Sequence, residues 1–273
     1  MPDPQYLICK HDHRRGTTRL RCPDMDLGIA GRHAAVAGAS SGLGLATARA
    51  LAAAGVHVAI CGRDAERIER AAASIEGSVV AIVSDVSIID GAAAFIDDAV
   101  AGLGSALDIL VTNAGGPPPG TFASTPVDAY AGALDLNLLS VVAMCKAAVP
   151  TMQQQGWGRV VAITSISVRQ PIPSLILSNT ARAGATGFLK TLALEVASDG
   201  VTVNSVQPGS HDTDRLRSMY GGDLTGAAAA TPAGVVGRPE DFGAVAAFLC
   251  SDQARFITGA AIPVDGGAYR ALL

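Results

Sequence analysis

The sequence predicts a single doubly wound α/β domain, with about seven parallel strands and helices on both faces. From residue 33 onward, short runs rich in Val and Ile alternate with longer Ala-rich stretches of helical period, which is the pattern of βαβ units. At 273 residues, 49% apolar and only 4% aromatic, the chain suits one large core of small aliphatic side chains and is cramped for two. Apart from Ala227–Ala230, no low-complexity tract or repeat interrupts the alternation.

The expected strands are His33–Gly38, Val56–Cys61, Val79–Val83, Ile109–Thr112, Arg159–Thr164, Thr202–Val206 and Ala261–Val264. Right-handed crossovers would put the intervening helices on both faces and ligands at the carboxyl ends of the strands. Residues 1–26 read as an extension, punctuated by Pro2, Pro4 and Pro23 and carrying Lys10, Arg14, Arg15, Arg19 and Arg21, so the domain is expected over 27–273. Met25, directly before the first strand region, is an alternative start of translation.

Composition narrows the function classes. A net charge of −4, with no Lys/Arg cluster interleaved with aromatics, argues against nucleic acid as a partner. No uninterrupted apolar run is long enough to span a bilayer, and the N-terminus is charged where a signal peptide is apolar. A soluble cytoplasmic protein acting on a small molecule, without membrane contact, is the expectation. Five scattered cysteines, Cys9, Cys22, Cys61, Cys145 and Cys250, suit reduced thiols rather than a disulfide framework. Cys9, His11, His13 and Cys22 match no common zinc spacing, so no metal site is expected.

After the first strand comes Gly38-Ala39-Ser40-Ser41-Gly42-Leu43-Gly44, and a helical pattern follows. Glycines here free the dihedrals of a tight turn and let a pyrophosphate approach backbone N–H groups at a helix N-terminus. The second strand ends Cys61-Gly62-Arg63. An acid at that position would accept from the ribose hydroxyls of NAD(H); glycine followed by arginine suits a 2′-phosphate, so NADP(H) is preferred over NAD(H).

Further motifs stand at matching distances: Ser84-Asp85-Val86, Thr112-Asn113-Ala114-Gly115-Gly116, Leu136-Asn137-Leu138, Ile163-Thr164-Ser165, Pro208-Gly209 followed by Thr213, Gly237-Arg238-Pro239-Glu240-Asp241 and Asp265-Gly266-Gly267. On these the chain resembles the short-chain dehydrogenase/reductase family, especially its 3-oxoacyl-acyl-carrier-protein reductase-like members, over about residues 27–267. Ala37 and Thr112 depart mildly, standing where the family usually has threonine and asparagine. The resemblance implies that Asp85 and Val86 meet the adenine, that Asn113, Ala114 and Gly115 support sheet and cofactor, and that Pro208, Gly209 and Thr213 approach the nicotinamide. It also implies hydride transfer at a carbonyl or alcohol carbon, with Ser165 holding the substrate oxygen and Asn137 supporting a water relay. A homodimer or homotetramer is implied, formed through helices near 126–154 and 175–198.

The family's Tyr-x-x-x-Lys segment is here Ser178-Asn179-Thr180-Ala181-Arg182. A serine hydroxyl cannot be brought near neutral pKa as a phenol can, whereas Arg182 keeps the cation and donors one helical turn later. The candidate replacements for the proton donor are His211 or Asp212 on the loop after Pro208-Gly209, Tyr220 downstream, and a water held by Ser165 and Asn137. Arg169 and Gln170 are candidates for giving the substrate pocket a polar or anionic preference. The competing readings are an NADP(H)-dependent oxidoreductase with an altered proton-transfer group, a non-redox lyase, isomerase or cyclase on the same fold, and a non-catalytic nucleotide-binding subunit.

Overall fold

The computed structural model describes residues 25–272; the zinc candidates and most of the N-terminal extension lie outside them. The seven strands are β1 (His33–Val36), β2 (His57–Gly62), β3 (Val79–Val83), β4 (Ile109–Thr112), β5 (Gly158–Ile163), β6 (Val201–Pro208) and β7 (Ala261–Val264). All pairings are parallel, in the order β3-β2-β1-β4-β5-β6-β7. Both ends of β2 and β5 and the start of β6 shift by one residue from the expected bounds, and two strand ends move by two. Ala37 and Gly38 have already left β1, because Gly38 turns at φ +57°, and β6 runs on through Gln207 and Pro208 because β7 pairs along it.

The helices between them are α1 (Gly42–Ala53), α2 (Ala65–Ala73), α3 (Ile89–Leu103), α4 (Ala129–Leu134), α5 (Ser140–Gln155), α6 (Ile176–Val196), α7 (Asp214–Met219), α8 (Thr225–Ala230) and α9 (Pro239–Leu249). Local chemistry sets their starts. Asp64 caps α2 by accepting from the Arg67 N–H at 2.9 Å, and α9 begins with Pro239 followed by Glu240 and Asp241 in its first turn.

Both faces of the sheet are covered, which is why its central strands are apolar without alternation. On one face Phe95, Met144, Met152 and Leu189, from α3, α5 and α6, pack against Leu110, Val160 and Val203. On the other, Leu51 of α1 and Phe242 and Leu249 of α9 cover Val36, Ile109 and Val161. Cys61, Cys145 and Cys250 lie in this interior as free thiols, and burial pushes each up to about 12, so they are inert at neutral pH.

α4 and α5 form one rod, Ala129–Gln155, joined by a π turn over Asp135–Leu139. Among the described residues this is the one helix long and apolar enough to cross a membrane. Its apolarity serves the core, since Met144, Cys145, Ala148, Val149 and Met152 are all buried in the fold.

The strand order reverses between β1 and β4, whose neighbours lie on opposite sides. Such a reversal opens a crevice at the carboxyl ends of the strands, and the loops carrying the sequence motifs converge there.

Candidate active site

The nucleotide end of the crevice is built by the β1–α1 turn. Gly38 and Gly42 take φ of +57° and +59°, and Gly44 packs so closely under the turn that an added Cβ would stand 2.5 Å from the Gly38 carbonyl oxygen. Asn113 closes the floor, its Nδ2 donating to that same carbonyl at 3.0 Å. Ser41 caps α1 without a side-chain bond, and no acid stands in the first turn, leaving the amino end of the helix open to an anion. Thr213, which caps α7, brings its methyl within 3.4 Å of where a Cβ on Gly42 would lie, so the loop after β6 closes over the glycine turn.

At the end of β2, Arg63 is exposed beside the turn, and Gly62 leaves room for Ser40, which would lie 3.2 Å from a Cβ there. Arg67 was missed in the sequence. It follows Arg63 by four residues and reaches the Ser41 hydroxyl at 3.5 Å. Burial works to raise the pKa of Asp85, but bonds from the Ser87 N–H (3.0 Å) and hydroxyl (2.7 Å), with the Arg63 charge, hold it below the usual carboxylate range. Val86 is buried beside it. A glycine cradle with no Cβ to fill it, an uncapped helix end and two neighbouring arginines fit a phosphorylated dinucleotide.

The other end of the crevice gathers the catalytic candidates. Ser165 caps a single 3₁₀ turn (Ile166–Val168) and accepts from the Ser167 N–H at 3.1 Å, leaving its own proton to donate. Asn137 sits in the π turn, 3% exposed, and donates from Nδ2 to the Gly115 carbonyl at 2.9 Å. Its Oδ1 is buried without a partner, an acceptor aimed at nothing the protein provides. π turns recur where a helix must present a functional side chain, and this one presents Asn137.

Ser178 and Arg182 lie one turn apart on α6, both buried. Arg182 bridges the ends of β5 and β4, with Nη1 donating to the Ile163 carbonyl at 3.0 Å and Nη2 to the Ala114 carbonyl at 3.4 Å. Burial, aided by the Arg215 charge, pushes its pKa down to about 10, so it remains a cation at neutral pH. A cavity of about 360 Å³ adjoins this edge, walled by Pro117, Pro118, Pro119, Pro126, Leu136 and Leu177. A larger hollow of about 500 Å³ lies around Trp157 at the opposite, amino ends of β5 and β6, and contains none of these residues.

His211 is buried rather than solvent-facing: it is 5% exposed, its ring meets Phe242 edge-on at 5.2 Å, and Nδ1 is engaged with the Gly209 carbonyl at 3.3 Å. Gly237 packs on its other edge. Burial is the main cause holding its pKa below 6.5, against the Gly209 bond and the Asp241 and Asp265 charges. A depressed histidine pKa gives stability that is complete above the unfolded value, about 6.5, and is lost as pH falls toward the folded one. In His211→Asn, the stability deficit relative to the parent should therefore shrink between about pH 7 and pH 5, as read by urea unfolding.

Asp212 is bound to Arg217, whose Nη2 reaches it at 2.6 Å, and Tyr220 ends α7 with 43% of its surface exposed. Arg169 and Gln170 also turn away from the pocket. Arg169 donates to the Ala261 carbonyl at 2.8 Å and lies over Tyr269, while Gln170 accepts from the Arg270 N–H at 3.4 Å. Arg215, unremarked in the sequence, is the cation at the cleft instead: its guanidinium donates to the Gly116 (3.0 Å) and Pro117 (3.3 Å) carbonyls.

A sheet reversing at a glycine cradle, with serine, asparagine and a buried cation at the same edge, defines a nucleotide-binding α/β enzyme scaffold. Residues 38–269 match the family described as Enoyl-(Acyl carrier protein) reductase. The chain is 32% identical over 241 residues to dehydrogenase/reductase SDR family member 4 of Bos taurus, covering 86% of each. It is 33% identical over 242 residues to the 3-oxoacyl-acyl-carrier-protein reductase FabG of Salmonella typhimurium, covering 88% of this chain and 98% of that one. A short-chain oxidoreductase from Pseudomonas aeruginosa PAO1, solved with NADPH and described as containing an atypical catalytic center, superposes with a TM-score of 0.83 at 31% identity, covering 89% of this chain and 99% of that one. The chain belongs to the short-chain dehydrogenase/reductase family, and its relatives are oxidoreductases.

Proposed function

We propose that the protein is an NADP(H)-dependent oxidoreductase that interconverts a carbonyl and an alcohol, with the work of the missing tyrosine divided among Arg182, Ser165 and a water. The observation that carries this is Arg182 itself, a buried cation bonded to the ends of both β4 and β5 where the family has its lysine. The glycine cradle would hold the dinucleotide, and Arg63 and Arg67 would bind its 2′-phosphate; when bound it would supply or take up the hydride. Ser165 donates to the substrate carbonyl oxygen. Arg182 stabilises that oxygen as it gains negative charge, an electrostatic role that needs no group titrating near neutral pH. Asn137, through its unpartnered Oδ1, holds the water that delivers the proton. The balance is carbonyl, hydride and one proton to alcohol. A relative with an atypical centre that still holds NADPH supports this reading.

The test is calorimetric titration with NADPH and NADH, followed by loss of NADPH absorbance across a panel of aldehydes and ketones. Binding with turnover supports the reading. Tight binding with no turnover on any member sinks the redox step, and favours the non-redox chemistry that a buried Ser178 would permit. Arg63→Ala combined with Arg67→Ala should weaken NADPH binding by about 100-fold and leave NADH nearly unchanged, because only the 2′-phosphate loses charge-assisted bonds. Equal losses for the two cofactors would refute the phosphate role. Assembly as a homodimer or homotetramer through α5 and α6 belongs to the same reading, supported by Leu194 standing 74% exposed on α6. Sedimentation as a monomer at micromolar concentration would remove it.

A further inference from the structure

Arg182 and Arg215 bind opposite ends of one loop, and neither has an acidic partner among the described residues. Arg182 rises from the floor on α6 and binds the Ala114 carbonyl; Arg215 comes down from α7 and binds the Gly116 and Pro117 carbonyls. The stretch 114–117 thus carries a cation at each end. The contact on the α7 side is close: a Cβ on Gly116 would collide with the Arg215 guanidinium, so only glycine lets that side chain lie along the loop.

Among the described residues no carboxylate oxygen lies within 4.0 Å of either group. Of the acids near Arg215 in sequence, Asp212 is taken by Arg217, and Asp214 makes no ion pair with the Arg215 guanidinium. Each guanidinium has five N–H donors and spends two on backbone carbonyls. The Arg215 charge is felt at Arg182, where it adds to burial in lowering the pKa. Arg182 is a buried cation without a counter-ion, which is costly, and Arg215 is an exposed one beside it; an anion laid between them recovers the cost at Arg182. The phosphates of a dinucleotide have their own cradle at Gly38–Gly44 with Arg63 and Arg67, so they leave this pair free. Pro117, whose carbonyl receives Arg215, is also a wall of the apolar cavity of about 360 Å³.

We infer that Arg182 and Arg215 form a carboxylate anchor, and that the substrate is an oxo acid or its hydroxy acid, with its carboxylate between the two arginines and its apolar part in the proline-walled cavity. This rests on the oxidoreductase reading for the word substrate, but the anion site stands on the two arginines alone.

Ligand-observed NMR on the full chain, with and without NADPH, tests it using pyruvate, acetoacetate and levulinate against their methyl esters. Each acid that binds should do so at least about tenfold more tightly than its ester. Arg215→Met should erase that preference, and Arg215→Lys should restore part of it, since the charge returns without the fork. NADPH calorimetry on the same variants checks that they fold, with affinity expected within about threefold of the parent. Esters binding as well as acids, no binding by any probe, or a preference that survives Arg215→Met would overturn the inference. If NADPH does not bind while the acid preference is present and lost in Arg215→Met, the oxidoreductase reading falls and the anion site remains.

Discussion

Arg182→Met is expected to lower carbonyl reduction by about 100-fold or more, while leaving the protein at least as resistant to heat as its parent. The two halves of that result have one cause. Arg182 is a cation held in a buried site without a carboxylate partner and under repulsion from Arg215, so its presence burdens the folded state. Methionine fills similar volume and removes the charge; the cost is two backbone carbonyls, of Ile163 and Ala114, that lose a donor. Activity and thermal midpoint should therefore separate. If the variant loses both, Arg182 is a brace between the ends of β4 and β5 rather than a participant in the chemistry. Arg182→Lys, which keeps the charge without the fork, should recover part of the rate.

Gly44→Ala is the second change with a large expected effect. The new methyl would stand 2.5 Å from the Gly38 carbonyl oxygen and 2.8 Å from the Asn113 amide, and neither is the loose end of a flexible side chain, since the Asn113 amide is fixed by its bond to that carbonyl. The turn must open to admit it, at a cost of about 1–3 kcal/mol for an overpacked site. The opening falls on the N–H groups that would face a pyrophosphate. NADPH affinity should drop at least about tenfold together with a lower thermal midpoint. Unchanged binding would mean that the dinucleotide does not use this turn.

The strand pattern was legible because parallel strands buried on both faces leave continuous Val and Ile runs, as in Ile109–Thr112 and Val79–Val83. The glycine turn was legible because its constraint is local: glycines from the end of one strand into the first turn of the next helix carry meaning through that strand–turn–helix context. Residues whose meaning depends on a partner far along the chain were not. Arg215 acquires its place only when α7 folds over a loop 99 residues earlier, and nothing beside it in sequence marks it. His211 looked available for proton transfer, but Phe242 and Gly237 bury it from later elements. Arg169 looked like a pocket cation until the C-terminal stretch, through Ala261 and Tyr269, took it up. Arg67 was within reach of the sequence, since it falls in the first turn of the helix that follows Arg63.

The π turn at Asp135–Leu139 sets a phase relation within the Ala129–Gln155 rod. One extra residue in a helical turn rotates everything beyond it by about 100° relative to an unbroken α-helix. Before the turn the rod shows Ala129, Gly132 and Ala133 to the proline-walled cavity; after it, Met144, Ala148 and Met152 face the sheet. A single deletion within Asp135–Leu139 would restore an even helical screw and put the two halves out of step, so that either the cavity wall or the core seam turned toward water. The segment that presents Asn137 is thus also the spacer that lets one helix serve two surfaces at once.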